Sequence, residues 1–230
     1  MRIAIIGAGN VGGAIGTGWA KRGHEVLFGV RDAADPKLEG LLARAGSTAR
    51  AATVKDAVAP ADVVALTVPW PAVQNALRTA GDLGGKVLLD CTNPLEADLS
   101  GLTVGHTTSG AEQVAGWAAG GRVVKIFNTT GYANMASPEY REGRAMMLYC
   151  GDDVQAKKVA AQLAADLGFE PYDVGPLAEA RLLEPFALVW IHLAVRQGMG
   201  TGFASWTPRL QYEALTGNTP IAPPPRQRRS

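Results

Sequence analysis

Residues 1–32 read MRIAIIGAGNVGGAIGTGWAKRGHEVLFGVRD. An apolar run over Arg2–Ile6 leads into glycines at Gly7, Gly9, Gly12 and Gly13. A helical pattern follows over Asn10–Arg22 and stops at Gly23, and a second apolar run, Glu25–Val30, ends in Arg31-Asp32. Both runs are continuous rather than alternating, the mark of strands covered by helices on two sides. The hexapeptide Gly7-Ala8-Gly9-Asn10-Val11-Gly12 fits G-x-G-x-x-G, here in the context that pattern requires: after a strand, opening a helix, at the head of a βαβ unit. Gly7 permits a tight turn, Gly9 lets backbone approach a pyrophosphate, and Gly12 lets the helix pack on the strand. The unpaired N–H groups and positive end of the helix then face the phosphates. Glycine inside a helix costs about 1 kcal/mol relative to alanine, so several in one helix need a reason, and a dinucleotide supplies it.

The end of the second strand bears on which dinucleotide. A carboxylate there suits the ribose 2′-hydroxyl of NAD, whereas an arginine suits the 2′-phosphate of NADP. The strand closes as Phe28-Gly29-Val30-Arg31-Asp32. Arg31 offers a planar fork matched to phosphate. Asp32 reads either as a helix cap or surface charge or, with a slip of one residue, as the ribose ligand. The expectation is NADP.

Further strand and helix patterns alternate along the chain. Helical segments are expected at Leu38–Ala45, Thr53–Val58, Ala72–Ala80 and Ala111–Ala119, and strands at Val63–Val68, Val87–Cys91 and Val123–Phe127. Such alternation builds a doubly wound, mostly parallel α/β sheet of the Rossmann type. After Pro138 come a strand at Ala145–Cys150, a helix at Val154–Leu167 stopped by Gly168, and a strand at Glu170–Val174. Leu177–Gln197 reads as one long apolar helix with a kink at Pro185. The division expected is a dinucleotide-binding domain over 1–137, a small C-terminal α/β extension over 138–215 that completes the active site, and a flexible tail over 216–230. The long helix has too few polar positions for a solvated face, which suggests burial, partly in a homodimer.

Composition sets limits. With 230 residues, 47% of them hydrophobic, the chain can bury a sizeable core, and its net charge of +1 gives no basic face for nucleic acid. The basic residues Arg226, Arg228 and Arg229 follow a proline run and read as tail. No secretory signal fits the first residues and no apolar run reaches the roughly 20 residues of a membrane span, so a cytoplasmic protein without membrane contact is expected. The two cysteines, Cys91 and Cys150, lie in apolar strands and read as buried thiols.

Several motifs together resemble a known family: MRIAIIGAGNVG, FGVRD, VPWPAV after the third long strand, SGAEQVA, MLYCGDD and DVGPLAEARLLEPF. They look like the F420-dependent NADP oxidoreductases and, equally, the cytosolic oxidoreductase domains of the six-transmembrane metalloreductases, over about residues 1–205. The resemblance implies hydride transfer between NADPH and a flavin-like ring, either the deazaflavin F420 or FMN or FAD. It implies that Gly9, Asn10 and Val11 meet the pyrophosphate and that Arg31, next to Val30, meets the 2′-phosphate. Thr67, Val68, Pro69 and Val73 would line the adenosine and nicotinamide side, Asn93 and Pro94 the nicotinamide ribose, and Asn128 and Thr129 the second ring. Val30 stands where many F420-dependent members carry a small hydroxyl residue, and the KIFNT form of residues 125–129 looks more like the metalloreductase type.

No proton-transfer set is evident. Lys125 and Asn128, three apart on an expected strand, would point to opposite faces. His24 reads as a surface or capping residue, His106 as an exposed loop residue and His192 as a core or interface residue, too scattered for a metal site. Ser109 to Glu112 matches a capping box whose helix end leaves room for an anionic group of the second ligand, and Trp70 reads equally as a ring-stacking or a packing residue. Reduction of a carbonyl needs a proton donor at the forming alkoxide; transfer to a flavin ring does not. The expected activity is therefore an NADP-dependent oxidoreductase with a flavin or deazaflavin acceptor, working on a small molecule with no essential acid or base and no metal. A β-hydroxyacid-dehydrogenase-like reductase of a carbonyl or imine lacks the long helical second domain it would need, and a non-catalytic NADP-binding sensor is the other alternative.

Overall fold

The computed structural model describes residues 1–140 and 143–206. The expected tail, 216–230, with its arginines lies outside the described residues. Ten strands are present among them: β1 Arg2–Ile6, β2 Glu25–Val30, β3 Ala49–Thr53, β4 Val63–Leu66, β5 Val87–Asp90, β6 Arg122–Lys125, β7 Glu139–Tyr140, β8 Gly143–Arg144, β9 Met146–Gly151 and β10 Glu170–Gly175. The α-helices are α1 Asn10–Lys21, α2 Glu39–Ala45, α3 Val54–Val58, α4 Val73–Ala80, α5 Gly110–Trp117, α6 Tyr132–Ala136, α7 Val154–Leu167 and α8 Ala180–Ile191.

Eight strands form one sheet in the order β10-β9-β6-β5-β4-β1-β2-β3. From β3 to β6 every pairing is parallel, and β9 joins β6 antiparallel through Val124 with Gly151 and Lys125 with Cys150. The order β3-β2-β1-β4-β5-β6 is that of a doubly wound Rossmann sheet, whose winding reverses between β1 and β4. Because β1, β2, β4, β5 and β6 run the same way, their C-terminal ends share one edge.

Each face of the sheet carries its own apolar cluster. On one side Ile3, Ile5, Val63 and Val124 meet Trp19 of α1, Leu41 of α2, Met135 of α6 and Leu163 of α7. There Trp19 packs edge-on to Phe127 at 5.7 Å, and its indole N–H donates to the Leu163 carbonyl at 2.9 Å. On the other side Ala4, Ile6, Val64 and Leu88 meet Ala57 of α3, Leu77 of α4, Val114 of α5 and Leu183 of α8. Alternation along β1 explains the division, since successive residues point to opposite faces.

Several boundaries differ from the sequence reading, each for a physical reason. The strand expected over Val123–Phe127 ends at Lys125, because Phe127 has a left-handed backbone, φ 62°, and turns the chain. The long apolar helix is three pieces: a 3-10 turn at Leu177–Glu179, α8, which continues through Pro185, and a π-helical turn at His192–Arg196. In the single chain its outer face is not buried: Leu182, Phe186 and Val189 are 61%, 39% and 58% exposed. Edge strand β3 was not anticipated. By contrast α7 has the predicted bounds, with Asp153 accepting from the Ala156 N–H at 2.7 Å at its start and Gly168 at φ 102° at its end. Cys91 and Cys150 are buried free thiols, and desolvation pushes Cys150 up to about 12.

Candidate active site

The glycine turn sits where the sheet's winding reverses. Gly7 follows β1 with φ 109°, a conformation costly for any residue with a Cβ. Its amide donates to the Gly29 carbonyl of β2 at 3.0 Å, and the Thr67 amide beyond β4 donates to the Ile6 carbonyl at 3.0 Å, so the end of β1 is laced to those of β2 and β4. The Thr67 hydroxyl donates to the carbonyls of Ile6 and Gly7 at 3.0 and 3.1 Å. A Cβ at Gly12 would collide with the Gly7 carbonyl and lie 2.6 Å from Thr67 Oγ1. Gly12 therefore sets how closely α1 approaches β1.

Gly9 differs: a Cβ there would meet nothing within 4 Å. It is the N-cap of α1, in extended conformation and without a side-chain hydrogen bond, and Gly9 and Asn10 are exposed. Open space in front of an uncapped helix start is a cradle that a pyrophosphate fits and that a side chain at Gly9 would fill. Ala8 and Val11 flank it, packed against the core.

Arg31 follows β2 on the same edge. It is exposed and has no hydrogen bond or ion pair among the described residues. Asp32 beside it accepts from the Ala34 amide at 2.9 Å, which gives its carboxylate a turn role. Val30 is half-buried at the strand end.

On the other side of the crevice the ends of β5 and β6 meet. The Asn93 side chain donates to the Asn128 carbonyl at 3.0 Å, and Asn128 Nδ2 donates to Asn93 Oδ1 at 3.1 Å and to the Leu183 carbonyl of α8 at 3.2 Å. Asn128 is 4% exposed, and its Oδ1 is buried with no partner among the described residues. Pro94 and Thr129 are buried next to them, while Val68 is half-buried and Pro69 exposed by the crevice.

Three sequence-singled residues do other work. Val73 is fully buried in the core of the α4 side and does not line the crevice. Trp70 is half-buried and packs on Trp117 with ring centroids 5.6 Å apart. Ser109 is fully buried; its hydroxyl caps α5 as the sequence pattern predicts, accepting from the Glu112 amide at 3.2 Å, and donates to the Glu112 carboxylate at 2.7 Å. The remaining first-turn amides, Gly110 and Ala111, donate to the Glu184 carboxylate at 2.8 and 3.0 Å. That helix end, read as a place for an anionic group of a second ligand, is filled by the chain's own acid.

A buried ionic cluster was missed. Lys125 Nζ lies 2.9 Å from Asp90 Oδ2 and 3.0 Å from Glu184 Oε1, and donates to the Thr92 carbonyl at 2.6 Å. The three side chains are at most 1% exposed. Burial works against the charge on Lys125, but the two carboxylates outweigh it and hold its pKa above the ordinary lysine value. Asp90 also accepts from the Thr92 amide and hydroxyl at 3.0 and 2.7 Å. Lys125 and Asn128 therefore both engage α8, through Glu184 and Leu183, and not opposite faces; the turn at Phe127 breaks the strand alternation on which that expectation rested. The available signal was a charge in each of two buried strands, VLLD and RVVK, which pair in register.

The histidines lie apart. The His24 side chain is 11% exposed and contacts the Asp166 carboxylate at 3.0 Å, His106 is exposed in a loop, and His192, expected in a core or interface, is exposed and contacts Gln197. Among the described residues no group of histidine, cysteine or carboxylate side chains could hold a metal ion, and no helix is long and apolar enough to cross a membrane.

Glycine cradle, laced strand ends and a crevice at the reversal point define a dinucleotide-binding α/β protein of the Rossmann type. The family model described as NADP oxidoreductase, coenzyme F420-dependent, matches residues 2–94. The F420-dependent NADP reductase of Methanothermobacter thermautotrophicus is 33% identical over 214 residues, 85% of this chain and 90% of that protein. Metalloreductase STEAP3 of Rattus norvegicus is 31% identical over 188 residues, but the chain spans only 36% of its length. A crystal structure of a candidate F420-dependent NADP-reductase from Arthrobacter sp. FB24 superposes with a TM-score of 0.79 at 30% identity, covering 87% of this chain and 96% of that one. The chain belongs to the family of F420-dependent NADP oxidoreductases.

Proposed function

We propose that the protein is an NADP-dependent oxidoreductase that passes a hydride between NADP(H) and a flavin or deazaflavin acceptor, F420, FMN or FAD. The observation that carries the reading is Arg31, exposed and unpaired among the described residues at the end of β2, beside the open cradle at Gly9. A guanidinium there matches a 2′-phosphate, while Asp32 is engaged with its own turn. In this reading α1's first amides hold the pyrophosphate, Thr67 and Val68 wall the crevice, and Asn93, Pro94 and Asn128 face the nicotinamide half. The bound nucleotide supplies the hydride.

The acceptor half of the proposal rests on the character of the walls. The ionisable groups nearest the Asn93–Asn128 pair, Asp90, Lys125 and Glu184, are buried and engaged with one another. Transfer to a flavin-like ring requires that two rings be held close and water kept out, with no protein acid at the acceptor. We also propose that the exposed face of α8 at Leu182, Phe186 and Val189 packs against a second copy of the chain, as in the expected homodimer.

The test is oxidation of NADPH and of NADH by the purified protein with F420, FMN, FAD and, as controls, a 2-keto acid and a cyclic imine. Turnover with NADPH and a flavin-type acceptor is expected. Turnover confined to the keto acid or imine would replace the acceptor assignment, and nucleotide binding without turnover would make the protein a sensor.

A further inference from the structure

We propose that Lys125 is a positioning residue for the nicotinamide half of the bound nucleotide: clamped between Asp90 and Glu184, it holds the Thr92–Pro94 ledge at the height the ring end requires. The inference rests on the nucleotide reading above and adds to it a residue that touches neither ligand nor solvent.

The ledge is the chain that leaves β5. Past Asp90, where β5 ends, the Cys91 amide still donates to the Leu66 carbonyl at 3.1 Å, and the Pro94 carbonyl accepts from the Thr103 amide at 2.7 Å. Between those two points Thr92 is anchored by side chains. Asp90 takes the Thr92 amide and hydroxyl through one oxygen, Oδ1, and offers the other, Oδ2, to Lys125. Lys125 in turn donates to the Thr92 carbonyl. Both the N–H and the C=O of Thr92 are thus held by one ion pair, one residue before Asn93. Asp90 and Lys125 are register partners on adjacent parallel strands, so the height of the ledge above the sheet is fixed by the sheet itself.

Glu184 extends the clamp sideways. It contacts Lys125 through Oε1 and takes the first amides of α5 with both oxygens. The next residue back, Leu183, accepts from Asn128. One buried charge cluster therefore ties together the ends of β5 and β6, the start of α5 and the middle of α8. Such a cluster is weak evidence for stability, since removing charges from water costs as much as their attraction returns. What it does supply is a fixed geometry, because an ammonium with three placed acceptors has one position.

A Rossmann crevice divides its ligand: the β1–β2 side holds the adenosine and 2′-phosphate, and the β4–β5–β6 side the nicotinamide. The ledge lies only on the second side. Loss of Lys125 should then weaken NADPH but not a ligand that stops at the adenosine 2′-phosphate.

The experiment compares the dissociation constants of NADPH and of adenosine 2′,5′-bisphosphate for wild type and Lys125→Met by calorimetry, with thermal melting alongside. Wild type is expected to bind NADPH more tightly than the fragment. In Lys125→Met the fragment's constant should stay within about twofold and that of NADPH should rise about tenfold, the size of one lost hydrogen bond. Unchanged NADPH binding would overturn the proposal, and so would parallel losses for both ligands, which mark a general structural role. Should Lys125→Met fail to fold with two unopposed carboxylates, the uncharged variant Asp90→Asn/Lys125→Met/Glu184→Gln lacks the same Thr92 bond without the stranded charge and is judged by the same ratio. A wild type that binds neither ligand would overturn the nucleotide reading itself.

Discussion

Asn93 and Asn128 hold each other from both ends: the first donates to the second's backbone oxygen at 3.0 Å, and the second's side chain donates to the first's side-chain oxygen at 3.1 Å. The pair closes the gap between β5 and β6 just past the last ladder bond, and Asn128 adds a third bond to Leu183 of α8. Three segments distant in sequence meet on two amide side chains.

The pair is sensitive to the sign of one atom. Asn128→Ala removes two side-chain donations and should cost about 1–3 kcal/mol of stability. Asn128→Asp keeps the shape but turns an acceptor toward Asn93 Oδ1 and the Leu183 carbonyl, so it should cost more than alanine at neutral pH. Urea unfolding of both variants checks the order. An aspartate variant as stable as the alanine one would mean that the two donations from Asn128 do not set the cost.

The glycines of the turn should separate by mechanism. Gly9→Val adds atoms into open space in the chain, so the melting temperature should hold while NADPH binding is abolished. Gly12→Ala pushes a methyl against the Gly7 carbonyl and Thr67 and should lose about 1–3 kcal/mol of stability through overpacking. A folded Gly9→Val protein with unchanged NADPH affinity would remove the cradle from the site.

Arg31→Ala tests the cofactor. The residue is exposed and unpaired among the described residues, so stability should stay within about 0.5 kcal/mol. A charge-assisted bond to the 2′-phosphate is worth about 1.5–3 kcal/mol, so NADPH affinity should fall about 10- to 100-fold and NADH affinity should not. Equal losses would assign Arg31 a structural role, and a wild-type preference for NADH would move the selection to Asp32.

Histidine variants test the chemistry. His106→Ala and His192→Ala alter exposed side chains and should keep both fold and turnover. His24→Ala breaks the contact from the turn after α1 to Asp166 of α7 and should lower the melting point with kcat retained. General acid catalysis contributes about 10²- to 10⁴-fold, so a thousandfold fall in kcat at any one histidine, with binding intact, would point to a carbonyl or imine substrate.

Much of the fold was legible because its signals were local. The glycine turn, the apolar strands β1, β2 and β4, and the capped α7 each announce themselves within a dozen residues. Strand β3 did not, because Ala49–Thr53 is an alanine-rich edge strand without the run of β-branched residues that marks buried strands. The end of β6 was hidden by Phe127, since nothing in a phenylalanine foretells a left-handed backbone. The place of Arg31, exposed just past the end of β2, was readable from its strand. The ionic cluster was not, because Asp90, Lys125 and Glu184 come from three distant segments and only folding gives each charge its partner. Val73 went astray for a related reason: a family motif carries identity along the chain but not which way a side chain faces. Ser109 caps α5 as its pattern predicts, and only the anion place beside it is taken, by Glu184.

Glu184 has one more consequence, for how the chain could be divided. A fragment ending at residue 137 would retain every glycine of the turn, Arg31 and both asparagines. It would also leave the first amides of α5 without an acceptor, Lys125 with one counter-ion, and the β6 edge bare where β9 had paired. Residues 1–137 are thus not expected to fold alone as a transferable module. A chimaera that grafts a foreign C-terminal portion onto it would need to bring a carboxylate to that one point, and an otherwise well-packed graft lacking it would be expected to express as an insoluble or loosely ordered protein.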